Sequence, residues 1–382
     1  MNKIAELISR LCPDGVEFKT LDSLVSYVQP GPYIVSSTEY DAHYSTPVLT
    51  AGQSFILGYT NEEEGIYNAS PQKPVIIFDD FTTSFHWVDF DFKVKSSALK
   101  ILKMKDKQEA DFRYIYMAMK TIHFIPTNHI RHWISLYSKF EIPLPPLNIQ
   151  KEIVSILDSF TSLIGKMKQE VEMRKKQMEY YREKLMAPQT NWKIKTLGEI
   201  GTFTRGNGLQ KSDFRVKGFP CVHYGQIHTY YNTCIYKTKS FCEEDLAKKL
   251  QKASYGDLLI ATTSEDVKAC CKAAVWFGAG DVAYSGDSFC YSHDQDPKYM
   301  AYLFQTEMFA KQKQKAATGA KVIRVSGESM ASFSFAFPPL VQQRQIVSIL
   351  DTFETYISKL EKMIELRQKQ YEYYREKLLT FE

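Results

Sequence analysis

The 382-residue chain is too long for one ordinary domain and, at 44% apolar residues, can build more than one core. No run of about 18 apolar residues occurs and Glu6 and Arg10 interrupt the opening apolar pattern, so neither a membrane span nor a secretion leader is expected, and the chain reads as soluble and cytoplasmic. Seven scattered cysteines without a C-x-x-C pair signal neither a disulfide framework nor a zinc site, and a net charge of +4 is too mild to imply a nucleic-acid partner by itself.

In chain order, the first half opens on Phe18-Lys19-Thr20-Leu21, turns at Gln29-Pro30-Gly31-Pro32, and carries a four-residue apolar strand at Val75 to Phe78. The polar and aromatic stretch Asp79 to Trp87 follows, then a helix over Asp111 to Lys120 and the polar run Pro126 to His132. Pro145-Pro146 then introduces a long helix, as prolines at a helix start do. The second half repeats this order: Ile194-Lys195-Thr196-Leu197, a turn at Arg205-Gly206-Asn207-Gly208, a strand at Leu258 to Ala261, a helix over Pro297 to Gln314, a basic run to Arg324, and Pro338-Pro339 before another long helix.

The repeat is strongest in those helices. Pro145 to Met186 and Pro338 to Leu379 align without a gap at an offset of 193, with 24 of 42 pairs identical, including IVSILD and YYREKL. Apolar residues recur at Ile153, Ile156, Phe160, Leu163, Met167 and Val171, and again at Ile346, Ile349, Phe353, Tyr356, Leu360 and Ile364. Steps of three and four keep one seam on one helix side, with two consecutive fours forming a stutter at the same place in both copies. Lys- and Glu-rich text elsewhere on the surface fits a helix wet on most sides. The expected fold is therefore α+β: two globular domains (1–146 and 188–338) separated by an antiparallel coiled coil of two long helices (147–187 and 339–382).

The polar stretches late in each half hold equivalent places but share almost no residues, the pattern of two readers with different targets. Base edges call for Asn, Gln, Arg, Lys, Ser, Thr and His, and phosphates for Lys and Arg. Candidate DNA contacts are Asn128, His129, Arg131 and His132 in the first half, and Arg205, Asn207, Lys315, Thr318, Gly319, Lys321 and Arg324 in the second, where Lys311 and Lys313 extend the basic run. Gly319 would let the backbone approach closely.

Catalytic motifs are sparse. The Pro-Pro pairs lack the polar and aromatic flanks that hold a flipped base, and no G-x-x-x-x-G-K-[ST] phosphate loop occurs. Asp80 followed by Asp91-Phe92-Lys93 offers an alternative, a metal-dependent nuclease, although D-x-K is a common triplet. A third reading is a coiled-coil adaptor with no nucleic-acid contact.

Together, PPLNIQKEIVSILD, PPLVQQRQIVSILD and the half-openings CPDGVEFKTL and WKIKTLGEIGTFTRG make the chain resemble the specificity subunits of type I restriction-modification enzymes over essentially its whole length. The resemblance implies a non-catalytic subunit with two target-recognition domains, each reading half of a split site in double-stranded DNA from the major groove. It also implies conserved helices that set the unread spacer and dock two methyltransferase subunits, with motor-nuclease subunits joining for restriction. No cofactor is expected in this chain; S-adenosylmethionine would belong to the methyltransferase partners, and ATP and magnesium to the motor-nuclease.

Overall fold

A computed structural model of the protein describes residues 2–52, 54–105, 110–126 and 130–381. These form two compact units, Met1–Lys168 with Lys362–Glu382, and Gln169–Glu361. The units divide the chain differently from the four sequence segments: each contains one head, the start of its own long helix or the end of it, and the complementary stretch of the other.

The first unit contains β1 (Phe18–Thr20), β2 (Val25–Val28), β3 (Thr46–Leu49), β4 (Ile56–Thr60), β5 (Val75–Asp79), β6 (Phe85–Val88), β7 (Lys93–Val94), β8 (Leu99–Met104) and β9 (Glu141–Pro143). A four-stranded sheet runs β2-β8-β5-β6, a three-stranded sheet β4-β3-β7, and β1 pairs with β9 at the foot of the head. The apolar run read as a strand is the sheet's buried interior: Ile76, Ile77 and Phe78 are fully buried on β5. Asp111 caps the helix Phe112–Met119, its carboxylate accepting from the backbone N–H of Arg113 and Tyr114 at 2.9 and 3.0 Å.

The second unit contains β10 (Lys193–Thr196), β11 (Gly201–Arg205), β12 (Phe219–Val222), β13 (Cys234–Ile235), β14 (Ser240–Cys242), β15 (Lys252–Ala253), β16 (Leu258–Ala261), β17 (Thr263–Ser264), β18 (Lys272–Trp276), β19 (Val282–Tyr284), β20 (Ser288–His293), β21 (Ile323–Arg324) and β22 (Ser334–Phe337). Its main sheet runs β11-β20-β16-β18-β13 and its second sheet β14-β12-β19-β15, while β10 pairs with β22 where β1 and β9 pair in the first unit. The short sequence echoes are thus real equivalences. Leu21 and Leu197 are fully buried just after those foot strands. The single helix expected over Pro297 to Gln314 is two, Pro297–Leu303 and Glu307–Ala316, because the Thr306 hydroxyl accepts from Phe309 N at 3.2 Å and caps a new start.

The two long helices span Leu147–Met186 and Leu340–Leu379. In the first unit Phe160 packs against Tyr374 with ring centroids 5.5 Å apart; in the second, Tyr181 packs against Phe353 at 5.5 Å and Lys175 pairs with Glu361 at 2.9 Å. Residue numbers rise on one helix as they fall on the other, so the pairing is antiparallel. The buried line differs from the expected seam. Leu157, Ile164, Leu350 and Ile357 are buried, whereas Leu163, Ile349 and Tyr356 are 42–44% exposed and Ile156 is half-buried. The inner track on the first helix is therefore Ile153, Leu157, Phe160, Ile164, Met167, Val171, and on the second Ile346, Leu350, Phe353, Ile357, Leu360, Ile364. These steps alternate four and three throughout, so the stutter disappears and each helix presents a regular heptad seam.

Candidate nucleic-acid interface

In the first head the turn joining β5 to β6 is set by Asp79, whose carboxylate accepts from Phe81 N and Thr82 N at 2.9 and 2.8 Å. Thr83 adopts φ +58°, an uncommon left-handed conformation for a β-branched residue. The next strap of chain is sewn onto this turn. The carbonyl of Asp80 accepts from His132 N at 2.8 Å, and its buried carboxylate accepts from Trp133 N at 2.8 Å while facing Lys100 Nζ at 3.4 Å. Arg131 is exposed beside the strap. His132 is not available as a base contact: it is buried, with its ring edge-on to Phe124 at 5.3 Å. Asn128 and His129 lie outside the described residues.

The second head builds the same feature with different parts. Here the turn from β16 to β18 is longer, and its first residues form β17, which pairs with β21 through Thr263 opposite Arg324 and Ser264 opposite Ile323. The strap folds back on itself, Thr318 and Arg324 exchanging backbone hydrogen bonds of 2.9 Å each way. Gly319 makes this reversal possible at φ +100°, where a Cβ would stand 2.1 Å from the Val322 carbonyl oxygen. Lys315, in the last turn of the helix Glu307–Ala316, and Thr318, Lys321 and Arg324 on the doubled strap are all exposed. Lys313 is not: its buried ammonium donates to the carbonyls of Lys268 and Cys270, both at 2.8 Å, and burial lowers its pKa.

Arg205 and Asn207 lie on another loop of the second head. Arg205 is exposed and its Nε donates to the Gly286 carbonyl at 3.1 Å, leaving the outer guanidinium free to reach outward. Asn207 is committed to the fold, since its amide donates to Lys249 O at 2.9 Å and accepts from Gln251 N at 2.8 Å. The acidic and lysine residues of the nuclease alternative are likewise occupied separately. Asp80 is held by Lys100 and Trp133; Asp91 accepts from Asn68 at 3.2 Å; and Lys93 is buried, bonded to Glu62 at 2.8 Å and the Glu64 carbonyl at 2.6 Å. Among the described residues no cluster of three His, Cys, Asp or Glu is brought together. The arrangement of paired carboxylates beside a free lysine is not assembled.

The family model described as the type I restriction modification DNA specificity domain matches this chain twice, over residues 13–173 and 189–368. The chain belongs to the type I restriction-modification specificity subunits. It is 35% identical over 388 residues to the EcoR124I/EcoR124II specificity subunit of Escherichia coli, covering 96% of this chain and 95% of that one. A Haemophilus influenzae chain assigned as a type I restriction enzyme specificity subunit is 28% identical over 390 residues, with 96% of each covered. In fold, the crystal structure of the type I restriction-modification system S subunit from M. genitalium superposes with a TM-score of 0.57 at 16% identity, covering 95% of this chain and 96% of that one. A specificity subunit with two DNA specificity domains acts on DNA together with the other subunits of its restriction-modification system.

Sequence reasoning missed the residues that hold each head of this specificity subunit on its long helix. Gln150 is fully buried, accepting from Asp111 N at 2.8 Å and donating to the Pro145 carbonyl at 2.7 Å. Its repeat partner Gln343 does the same with Asp296 N at 3.0 Å and Pro338 O at 2.9 Å. Just over two turns further along, Asp158 pairs with Arg113 at 2.8 Å, and Asp351 with Lys298 at 2.7 Å. The signal was present: all four helix residues are identical between the copies, and Gln150/Gln343 is kept while the residues on both sides of it change, as expected of a group with a partner to satisfy. Among the described residues no helix is long and apolar enough to cross a membrane.

Proposed function

We propose that this subunit reads a split site in double-stranded DNA, one half per head, through the strap and hairpin turn at the tip of each head. The observation that carries this reading is internal. Two heads share a frame, yet the exposed polar text held at one fixed place in that frame differs, which suits recognition of two different half-sites. In the second head Lys315, Lys321 and Arg324 supply charge for phosphates or purine edges, and Thr318 a hydroxyl for base edges. In the first, Arg131 is the exposed cation of the strap, and Arg205 is a further candidate in the second head.

The helices would fix the number of unread base pairs between half-sites, since the two heads of a bipartite reader must reach major grooves about 34 Å or a multiple apart. Residues along the edge of the seam support docking of two methyltransferase subunits. Arg174, Ile349, Thr352, Phe353 and Tyr356 line an apolar cleft of about 530 Å³ in the second unit. The repeat-related residues Ile156, Ser159, Phe160, Leu163 and Arg367 occupy the first. Two like patches suit two copies of one partner. S-adenosylmethionine would then be held by the methyltransferase partners and ATP with magnesium by motor-nuclease subunits, in the cytoplasm.

The test is to replace residues 311–324 with the corresponding strap of another specificity subunit and map methylation across the genome. One half-site should change while the other half and the spacer stay as they were. A site unchanged in sequence, or one that becomes continuous, would sink the reading.

A further inference from the structure

Below the reading turn of the first head lies an open cleft of about 340 Å³ whose walls include Thr83 and Phe85 from the turn, Lys120 at the end of the helix Phe112–Met119, Tyr137, and Arg375 from the second long helix. We propose that Lys120 and Arg375 form an anchor for a backbone phosphate of the DNA, next to the bases read by this head. The inference rests on the DNA-reading assignment above and adds to it a contact made from the shared helix rather than from the recognition strap.

Three observations converge on an anion. Arg375 Nε is buried without a hydrogen-bond partner, and among the described residues neither Arg375 nor Lys120 has a carboxylate within ion-pair distance. The adjacent Glu376 is turned to His123 at 3.8 Å, and Lys120 lies over the Tyr116 ring, 4.3 Å from its centroid. With Nε shielded, the two outer guanidinium nitrogens of Arg375, beside a second cation, are suited to phosphate oxygens, which they can engage through two parallel hydrogen bonds. The turn lining the same cleft is the element the strap is sewn to, so a phosphate held here would lie beside the reading edge.

The repeat supplies an internal control. Arg182 is the counterpart of Arg375 at an offset of 193 and its Nε likewise lacks a hydrogen-bond partner, but its Nη1 donates to Gln305 Oε1 at 3.2 Å and it lies 3.6 Å from the Glu183 carboxylate. The cleft it lines mixes Glu179, Asp351, Glu354 and Glu361 with Lys175, Lys272, Lys298 and Lys359, and two of these acids are already paired, Asp351 with Lys298 and Glu361 with Lys175. The same arginine therefore has a carboxylate and an amide partner in one unit and neither in the other.

The experiment measures DNA binding by the full chain assembled with its methyltransferase partner, across a range of salt, to a duplex carrying the complex's own methylation site and to a scrambled duplex. Each phosphate contact contributes about 0.9 to the slope of log affinity against log salt. Arg375→Gln should flatten that slope by about 1 and weaken both duplexes by the same factor. Lys120→Gln should act in the same direction, Arg375→Lys should retain the slope, and Arg182→Gln should leave it unchanged. Lys120→Gln reads the slope independently should Arg375→Gln fail to assemble. An unchanged slope in both Arg375→Gln and Lys120→Gln overturns the anchor, as does weakening confined to the cognate duplex, which would mean a base contact. A wild-type complex that does not distinguish the two duplexes would instead defeat the reading assignment.

Discussion

The foot and the tip of each head are built on opposite principles. At the foot, the first and second units use the same parts: a two-stranded ladder, a buried glutamine bridging the capped head helix to the Pro-Pro corner, and an aspartate paired with the head helix one residue after its start. At the tip the parts differ. One strap is held by a single buried aspartate through Trp133 and His132, the other by a strand pair and a glycine reversal. A contact that must be the same in both halves is made of mutually satisfied groups with a buried glutamine at the centre, which tolerate little change. A surface that has only to be presented can be anchored by whichever backbone bonds are at hand.

The sharpest way to break this comparison is along the helix seam. Leu350→Ala removes a fully buried side chain and should cost roughly 2–5 kcal/mol in a denaturant melt, whereas Ile349→Ala next to it should leave stability within about 0.5 kcal/mol. Ile349→Ala should instead weaken capture of the methyltransferase partner. Equal destabilisation by the two would restore the seam expected from sequence. At the foot, Gln343→Ala strands the Asp296 N–H and the Pro338 carbonyl, and should cost about 1–3 kcal/mol. Hydrogen exchange should show the loss around Pro297–Leu303 and spare Phe112–Met119. If both head helices loosen together, the two feet are not independent clasps.

A pH dependence separates the units further. Burial pushes the pKa of His223 and of His293 below the ordinary histidine value of about 6.5, with nearby Lys211 also lowering His223. The unfolded chain then binds more protons than the folded one just below that value. Stability of the second head is therefore full at neutral pH and declines as pH falls from about 6.5 through the depressed folded values. In an acid titration followed by hydrogen exchange, His293→Asn should shallow this decline in the second head. A decline of unchanged steepness would show that protonation of His293 does not drive it.

The repeat, the long helices and the central strands were legible because each is written as periodicity or as text copied from one half to the other; the foot ladders were not, since the echo of Phe18 to Leu21 in Ile194 to Leu197 names no partner strand. The seam was off by one residue for a physical reason. Ile156-Leu157, Leu163-Ile164, Ile349-Leu350 and Tyr356-Ile357 are adjacent apolar pairs, so spacing alone admits two tracks, and one of them is left outward on the cleft assigned to partner docking. The candidate contact residues could be chosen only by place. Arg131, Lys315, Thr318, Lys321 and Arg324 are exposed, but His132 and Lys313 turned inward, because an irregular strap must satisfy its own and its neighbours' backbone groups and recruits nearby side chains to do so.

The smallest expected effect concerns an ion pair that crosses between the helices in the second unit. Lys175 and Glu361 meet at 2.9 Å, but both are about half exposed, so screening and side-chain entropy leave little net gain. The repeat makes the same point: their counterparts are Gln368 and Lys168, which cannot form an ion pair. Helix pairing that relied on this contact would hold only one unit together, while the heptad seam is present in both. Glu361→Gln should therefore change the denaturation midpoint by the equivalent of less than about 0.5 kcal/mol, with that small change vanishing at high salt. A loss approaching that of Leu350→Ala would mean that charge, and not the seam, holds the helices in register.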